Sequence, residues 1–276
     1  MVLLSLRDGA RVGAANIGSD LVAVVASADG RFAYAADSSP GDVYAVTLPS
    51  LAIAWKAHVG GSPFSLLLGG GRLYVSLFAG AAVVELDPSS GAKLASHPVP
   101  PNPAMLAVDA SGRVMVAGIR GTVTFLDGTS MPAGKGFAVA LSGGEVWTED
   151  YERAELVRAG DQHRVGLPLP VFPFWLAPGT PGRLLVSAEG ADEDNDPGGV
   201  FEFDIASATF TTLAQARDPD QVVQSESRVL VAAHGDREVL SIEGGRIDVW
   251  ARDTPAVALA PVPALGLAVV VVNDHE

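Results

Sequence analysis

The sequence predicts an all-β fold, a seven-bladed β-propeller built from four-stranded antiparallel blades. Three observations predict it. A strand–turn–strand unit recurs at a spacing of about 40 residues. The chain carries 31 Gly and 19 Pro in 276 residues, a load that suits many tight turns rather than long helices. The last recurrence of the unit breaks off at the C-terminus, and its missing half stands at the N-terminus.

Each unit opens on an apolar run, turns at a Gly-Arg-like pair and enters a second apolar run. The turns fall at Gly30-Arg31, Gly71-Arg72, Gly112-Arg113, Gly144-Glu145, Gly182-Arg183, Ser227-Arg228 and Gly266-Leu267. Glycine suits them because a tight hairpin needs a residue that tolerates positive φ. Flanking runs such as RLYVSL (72–77), RVMVAG (113–118) and RVLVAA (228–233) read as strands. A third strand follows, with alternating apolar positions that end in an acidic turn: VVELDPSSG (83–91), VTFLDGTS (123–130), VFEFDIASA (200–208) and VLSIEGG (239–245). A more variable fourth run closes the unit. Its one helix-like instance, SATFTTLAQAR (207–217), starts with β-branched and aromatic residues and reads as a strand. The weakest fourth run is MPAGKG (131–136) in the third blade.

The N-terminal VLLSLRDG (2–9) and RVGAANI (11–17) fit only third and fourth strands. The C-terminal stretch 255–273 supplies only first and second strands. Six complete units and one split unit make seven, so the whole chain, 1–276, reads as one propeller domain. Its closing blade is formed by about residues 1–18 with 255–276. Sharing a blade between the termini removes the open edges that invite aggregation.

SADGRFAYAAD (27–37), GGGRLYVSL (69–77), VDASGRVMVAG (108–118) and VVVVN (269–273) resemble the YVTN-type repeat of bacterial β-propellers. The Asn that follows the second strand in that family stands here at Asn273, with Asp37 in the matching place of the first blade. The resemblance implies surface-layer modules, lactonase-like enzymes or propellers without known activity. Metal-dependent lactonases of this kind hold an ion with acids and Asn at the inner-strand tops, where this chain offers Asp20, Asn102, Asp218 and Asp220.

Composition narrows the functions. A net charge of −14 disfavours nucleic acid and anionic membrane surfaces. The absence of cysteine excludes disulfides and thiolate chemistry. MVLLSLRDG lacks the basic leader and long apolar core of a signal peptide. A monomeric cytoplasmic protein is expected, or a periplasmic or extracellular one if a leader was removed. No phosphate loop, G-x-S-x-G elbow or H-E-x-x-H helix occurs, so no catalytic residue is predicted.

The second-to-third-strand loops and the inter-blade crossings share one end of the channel, here called the top. Candidate ligand-binding residues there are Asp37, Glu149, Glu189, His234, Asp236 and Asn273, an acidic rim suited to cations; the same acids would equally serve as a solvated face. Phe172, Phe174 and Trp175 border a Pro-rich crossing, and Trp175 is the candidate pocket floor. In the longest top loop, Asp192, Asp194 and Asp196 alternate as oxygen ligands for Ca2+ or another divalent cation. The leading expectation is a non-catalytic propeller that binds a small molecule or protein partner at its top rim. The alternatives are a metal-dependent lactonase-like hydrolase or lyase and a cell-envelope module.

Overall fold

The computed structural model describes residues 1–168, 171–192 and 196–273. Among them, 28 strands form seven four-stranded antiparallel sheets. Blades 1 to 6 each take four consecutive strands, from β3 (Leu21–Ala26) onward. The closing blade pairs in the order β2-β1-β28-β27, joining β1 (Val2–Ser5) and β2 (Arg11–Ala14) to β27 (Ala256–Val262) and β28 (Leu267–Val272). Val2 lies opposite Val270 and Ser5 opposite Leu267, so the ring is closed by backbone pairing between the termini.

The local chemistry behaves as the turn residues require. Gly30, Gly71, Gly112, Gly144, Gly182 and Gly266 all take positive φ, between 63° and 83°. At the sixth turn Ser227 replaces glycine, and the left-handed conformation moves to its neighbour Glu226, φ 53°. The 207–217 segment is a strand, β22 (Thr209–Ala216), and the fourth strand of the third blade is only Ser130–Pro132.

The core lies between blades rather than at a centre. Trp147, Phe201 and Phe203, all at most 1% exposed, interlock blades 4 and 5, with the Trp147 and Phe203 rings edge-on at 5.2 Å. Each such aromatic contributes about 2–3 kcal/mol by burial. Trp55 donates its indole N–H to the Pro88 carbonyl of the next blade at 3.1 Å. Outer strands alternate and expose their outward face, as in Ala52–His58 and Lys93–Pro98.

The inner strands ring the channel: β3 (Leu21–Ala26), β7 (Pro63–Gly69), β11 (Pro103–Val108), β15 (Val139–Ser142), β19 (Phe172–Pro178), β23 (Pro219–Ser225) and β27. Their inward edges have no strand partner, and neighbouring blades supply substitutes. Leu106 N–H donates to Ser65 Oγ at 3.2 Å, Leu259 N–H to Gln221 Oε1 at 2.6 Å, and Ser187 Oγ–H to the Asp220 carbonyl at 2.6 Å. These stitches answer the need of buried backbone groups for partners.

Candidate functional site

The top of the channel is shaped by proline. Pro63, Pro103 and Pro219 open β7, β11 and β23, and Pro173 is the second residue of β19. Proline has no N–H to give the ladder, so it belongs at a strand's first residue or at a bulge. The pairing of first and second strands breaks register at this point in six blades. It does so between Leu21 and Ala23, Pro63 and Ser65, Pro103 and Leu106, Pro173 and Trp175, Pro219 and Val222, and Ala256 and Ala258. Bulges re-aim the side chains they carry. Those carried here include Phe64, Phe174, Asp220 and Gln221. Ser62, Asn102 and Asp218, each preceding a proline, take φ of 53°, 61° and 42°. Such a conformation stores about 1–3 kcal/mol of strain per residue.

Blade 4 has no such bulge in its first pairing. The chain reaching β15 is held instead by Glu149, the next-to-last residue of β16 (Glu145–Asp150). Glu149 Oε1 accepts the N–H groups of Phe137 at 2.5 Å and Ala138 at 3.1 Å. Asp37, the last residue of β4 (Phe32–Asp37), does the same in blade 1. It accepts Ser19 N–H on Oδ2 at 3.0 Å and Asp20 N–H on Oδ1 at 2.7 Å. Each carboxylate needs a glycine beside it. A Cβ on Gly136 would overlap the Glu149 carboxylate, and one on Gly18 would meet Asp37 Oδ2 at 2.6 Å.

The expected rim of solvated acids is therefore corrected at these positions. Asp37 and Glu189 end their strands and Glu149 stands next to last in its own, so none lies in a loop, and they are 1%, 6% and 0% exposed. Asp37 and Glu149 are turned inward because the crossing chain presents N–H groups that need acceptors. Burial pushes the Glu149 carboxyl up to about 8, against the pull of the two N–H donors, and Asp150 and Glu189 add to the rise. Its Oε2, and Asp150 Oδ1, are buried without a hydrogen-bond partner. Tyr151 donates its hydroxyl to Glu189 at 3.3 Å and stacks on Phe172 at 5.1 Å.

Across the closing seam the polar residues join in one network. His234 Nδ1 lies 3.0 Å from Asp218 Oδ2 and Nε2 lies 3.2 Å from the Asn273 carbonyl. Asn273 Nδ2 donates to Asp20 Oδ1 at 3.0 Å, and Asp20 in turn accepts Ser39. With acceptors at both ring nitrogens, the site favours the protonated form of the His234 ring. The bond to Asp218 raises its pKa first, and Asp220 and the Asn273 carbonyl contribute, while burial opposes. Asp236 is paired with Arg217, accepting its backbone N–H and its Nε at 2.8 Å each.

The matching of Asn273 with Asp37 is corrected by register. Leu21 pairs with Asp37 and Ala256 with Val272, so Asn273 is equivalent to Ser38, one residue later. His234 and Phe78 fill the same position in blades 6 and 2, since Pro219 pairs with Ala233 and Pro63 with Leu77.

The opposite arc of the mouth, blades 2 to 5, is aromatic. Phe64 lies 5.6 Å from Phe78 and 6.0 Å from Phe137; Phe137 lies 6.3 Å from Phe78 and 5.8 Å from Phe174. All four rings are only half-buried. Phe64, Phe78 and Phe137 were not singled out from sequence. What signal there was is positional: Phe64 follows the strand-opening Pro63, and Phe78 occupies the position of His234 and Asn273.

Directly beneath this rim the channel widens into a cavity of about 380 Å³. Stretches Ala23–Val25, Ser65–Leu67, Met105–Val108, Val139–Leu141 and Trp175–Pro178 line it, with Gln221 and Val223. Trp175, the expected floor residue, is thus in the wall. Asp192 and Asp196 are bridged by a backbone bond of 2.8 Å, and Asp194 lies outside the described residues. Among the described residues no three His, Asp or Glu side chains converge as metal ligands, and no helix is long and apolar enough to cross a membrane.

No protein-family model matches the chain, and no curated protein sequence matches it. Solved structures do. A streptogramin B lyase superimposes with a TM-score of 0.77 at 12% identity, covering 98% of this chain and 97% of that one. Hydrazine synthase of Kuenenia stuttgartiensis gives 0.71 at 11% identity, covering 96% and 99%. A putative 6-phosphogluconolactonase from Bacteroides fragilis gives 0.63 at 12% identity, covering 95% and 89%. At such identities the likeness is one of fold, and what it supports is the seven-bladed propeller itself.

Proposed function

We propose that the protein is a binding propeller of one domain whose channel mouth takes a small ligand, or a side chain of a protein partner, with an apolar ring at one end and a cationic or donor-rich group at the other. One observation carries this reading. The mouth is divided into an aromatic arc, Phe64, Phe78, Phe137 and Phe174, and a polar arc, Asp218, His234, Asn273 and Asp20. Half-exposed aromatic rings are apolar surface left open, and they attract cations through their faces. The net charge of −14 favours the same ligands. Kinship with the YVTN-type propellers belongs to this proposal and rests on the repeat residues.

Calorimetric titration with arylalkylamines such as phenethylamine tests it. Binding is expected to weaken about tenfold or more in the Phe137→Ala/Phe174→Ala variant, the loss of roughly 1.4 kcal/mol, and to weaken with salt. Binding indifferent to both changes would remove the rim from the explanation.

A metal-dependent hydrolase or lyase is the second reading, favoured only by the unpartnered Oε2 of Glu149. Thermal melts with and without Ca2+, Mg2+ or Mn2+ test it. A specific ion at about 100 times its Kd stabilises by about 2.7 kcal/mol, and an unmoved melt counts against this reading.

A further inference from the structure

The cavity under the rim differs in kind from the rim itself. Among the described residues its lining holds no charged side chain, and apart from strand backbone its polar groups come from Ser65, Gln221 and Trp175. Ser65 and Gln221 are 4% and 9% exposed. Each spends an acceptor on the neighbouring blade: Ser65 Oγ receives Leu106 N–H, and Gln221 Oε1 receives Leu259 N–H. The second bond fixes the amide orientation, because only the oxygen can face a backbone N–H. What remains is the Ser65 hydroxyl hydrogen, the two Gln221 Nε2 hydrogens and the Trp175 indole N–H, none of which donates to an acceptor among the described residues. These three residues line one space, so their unused donors are open to whatever enters it.

We propose that this cavity is a second binding site, for a neutral, largely apolar ring compound that carries acceptor oxygens, of the ketone, lactone or ester class. The aliphatic lining from Ala23, Leu66, Leu106 and Val139 supplies the apolar contact. The volume of about 380 Å³ falls in the range of small-molecule pockets, ~300–1,000 Å³. Ser65 lies on blade 2 and Gln221 on blade 6, three blades apart one way round the ring and four the other. Donors therefore reach in from nearly opposite walls, and a ligand with two oxygens at its ends satisfies both. A carboxylate finds no lining cation, and an ammonium finds as side-chain acceptors only the second lone pairs of Ser65 Oγ and Gln221 Oε1, both oxygens already engaged by a neighbouring blade.

The test is a matched pair of tricyclic compounds, fluorenone and fluorene, which differ by a ketone in place of a methylene. Equilibrium dialysis against the full chain is expected to show fluorenone bound about tenfold more tightly, the worth of one hydrogen bond. Two variants keep the fold while removing donors. Gln221→Glu retains the acceptor for Leu259 N–H, and Trp175→Phe retains a ring. In either the preference for the ketone should fall several-fold, and in the double variant to within about twofold, below one hydrogen bond. The Phe137→Ala/Phe174→Ala variant should leave it intact, which separates this site from the rim. Equal binding of the two compounds, no binding of either, or a preference lost with the rim phenylalanines instead of the donors would each overturn the proposal.

Discussion

Asp37 and Glu149, the last and the next-to-last residues of the second strands of blades 1 and 4, perform one task in two ways. Asp37 spreads two backbone N–H groups over two oxygens and is fully used. Glu149, one methylene longer, gathers both on Oε1 and leaves Oε2 buried and alone. The glycines that make room differ too: Gly18 has φ +68°, whereas Gly136 is not in the left-handed region. The comparison teaches that the fold requires only one acceptor atom at Glu149. Its second oxygen is surplus to architecture, and burial, with Asp150 and Glu189 adding to it, lifts this carboxyl to about 8.

The largest expected effect is on pH dependence. Glu149 goes from 4.5 to about 8 on folding, so the folded chain binds the extra proton between those values and stability falls as pH rises through them. At about 1.4 kcal/mol for each pH unit, the span amounts to roughly 5 kcal/mol. Urea unfolding at pH 5 and pH 9 should show this loss, and Glu149→Gln should remove most of it. The raised pKa of His234 acts with the same sign, its contribution present below 6.5 and lost as pH rises through the folded value. The smaller slope left in Glu149→Gln should therefore disappear in Asp218→Asn. A wild-type curve flat between pH 5 and 9 would contradict the neutral Glu149.

A smaller effect separates the glycines. Gly136→Ala should destabilise by about 2–3 kcal/mol through overpacking, and Glu149→Ala in the same chain should recover much of that by removing the clash. Gly18→Ala should not be recovered by Asp37→Ala, because the backbone itself disfavours a side chain there. Double-mutant cycles measure the coupling. Equal couplings at the two sites would dissolve the distinction.

The smallest is the amide exchange. Asp37→Asn puts an NH2 against a backbone N–H and should cost about 1–2 kcal/mol, while Glu149→Gln keeps Oε1 for both donors and should be near neutral below pH 7. Midpoints of chemical unfolding at pH 6 decide it, and equal costs would mean that the oxygens are not divided as described.

Much of the architecture was legible along the chain. The seven turn positions, the split blade and the short third-blade strand follow from local needs: positive φ at Gly30 and its equivalents, alternation in 83–91 and 200–208, and too few residues at 131–136. The candidate site was legible only as a roster. Asp37, Glu149, Glu189, His234 and Asn273 were placed at the top, yet as solvated loop acids or free ligands. Their burial depends on which chain crosses above each strand end, and no periodicity reports that. Phe64, Phe78 and Phe137 escaped notice because in sequence they resemble any other apolar residue of a strand or its flank.

Local turn chemistry and alternating hydrophobicity determined by themselves that this protein is a closed ring of seven sheets, since both act between residues only a few positions apart. Tertiary structure alone decided which acids are swallowed by backbone N–H groups, which rings line the mouth and which donors are left over in the channel. Those outcomes arise between residues tens to hundreds of positions apart, such as Asn273 and Asp20 or Gln221 and Leu259. There the partner of each polar group is set by the closure of the ring rather than by its neighbours in the chain.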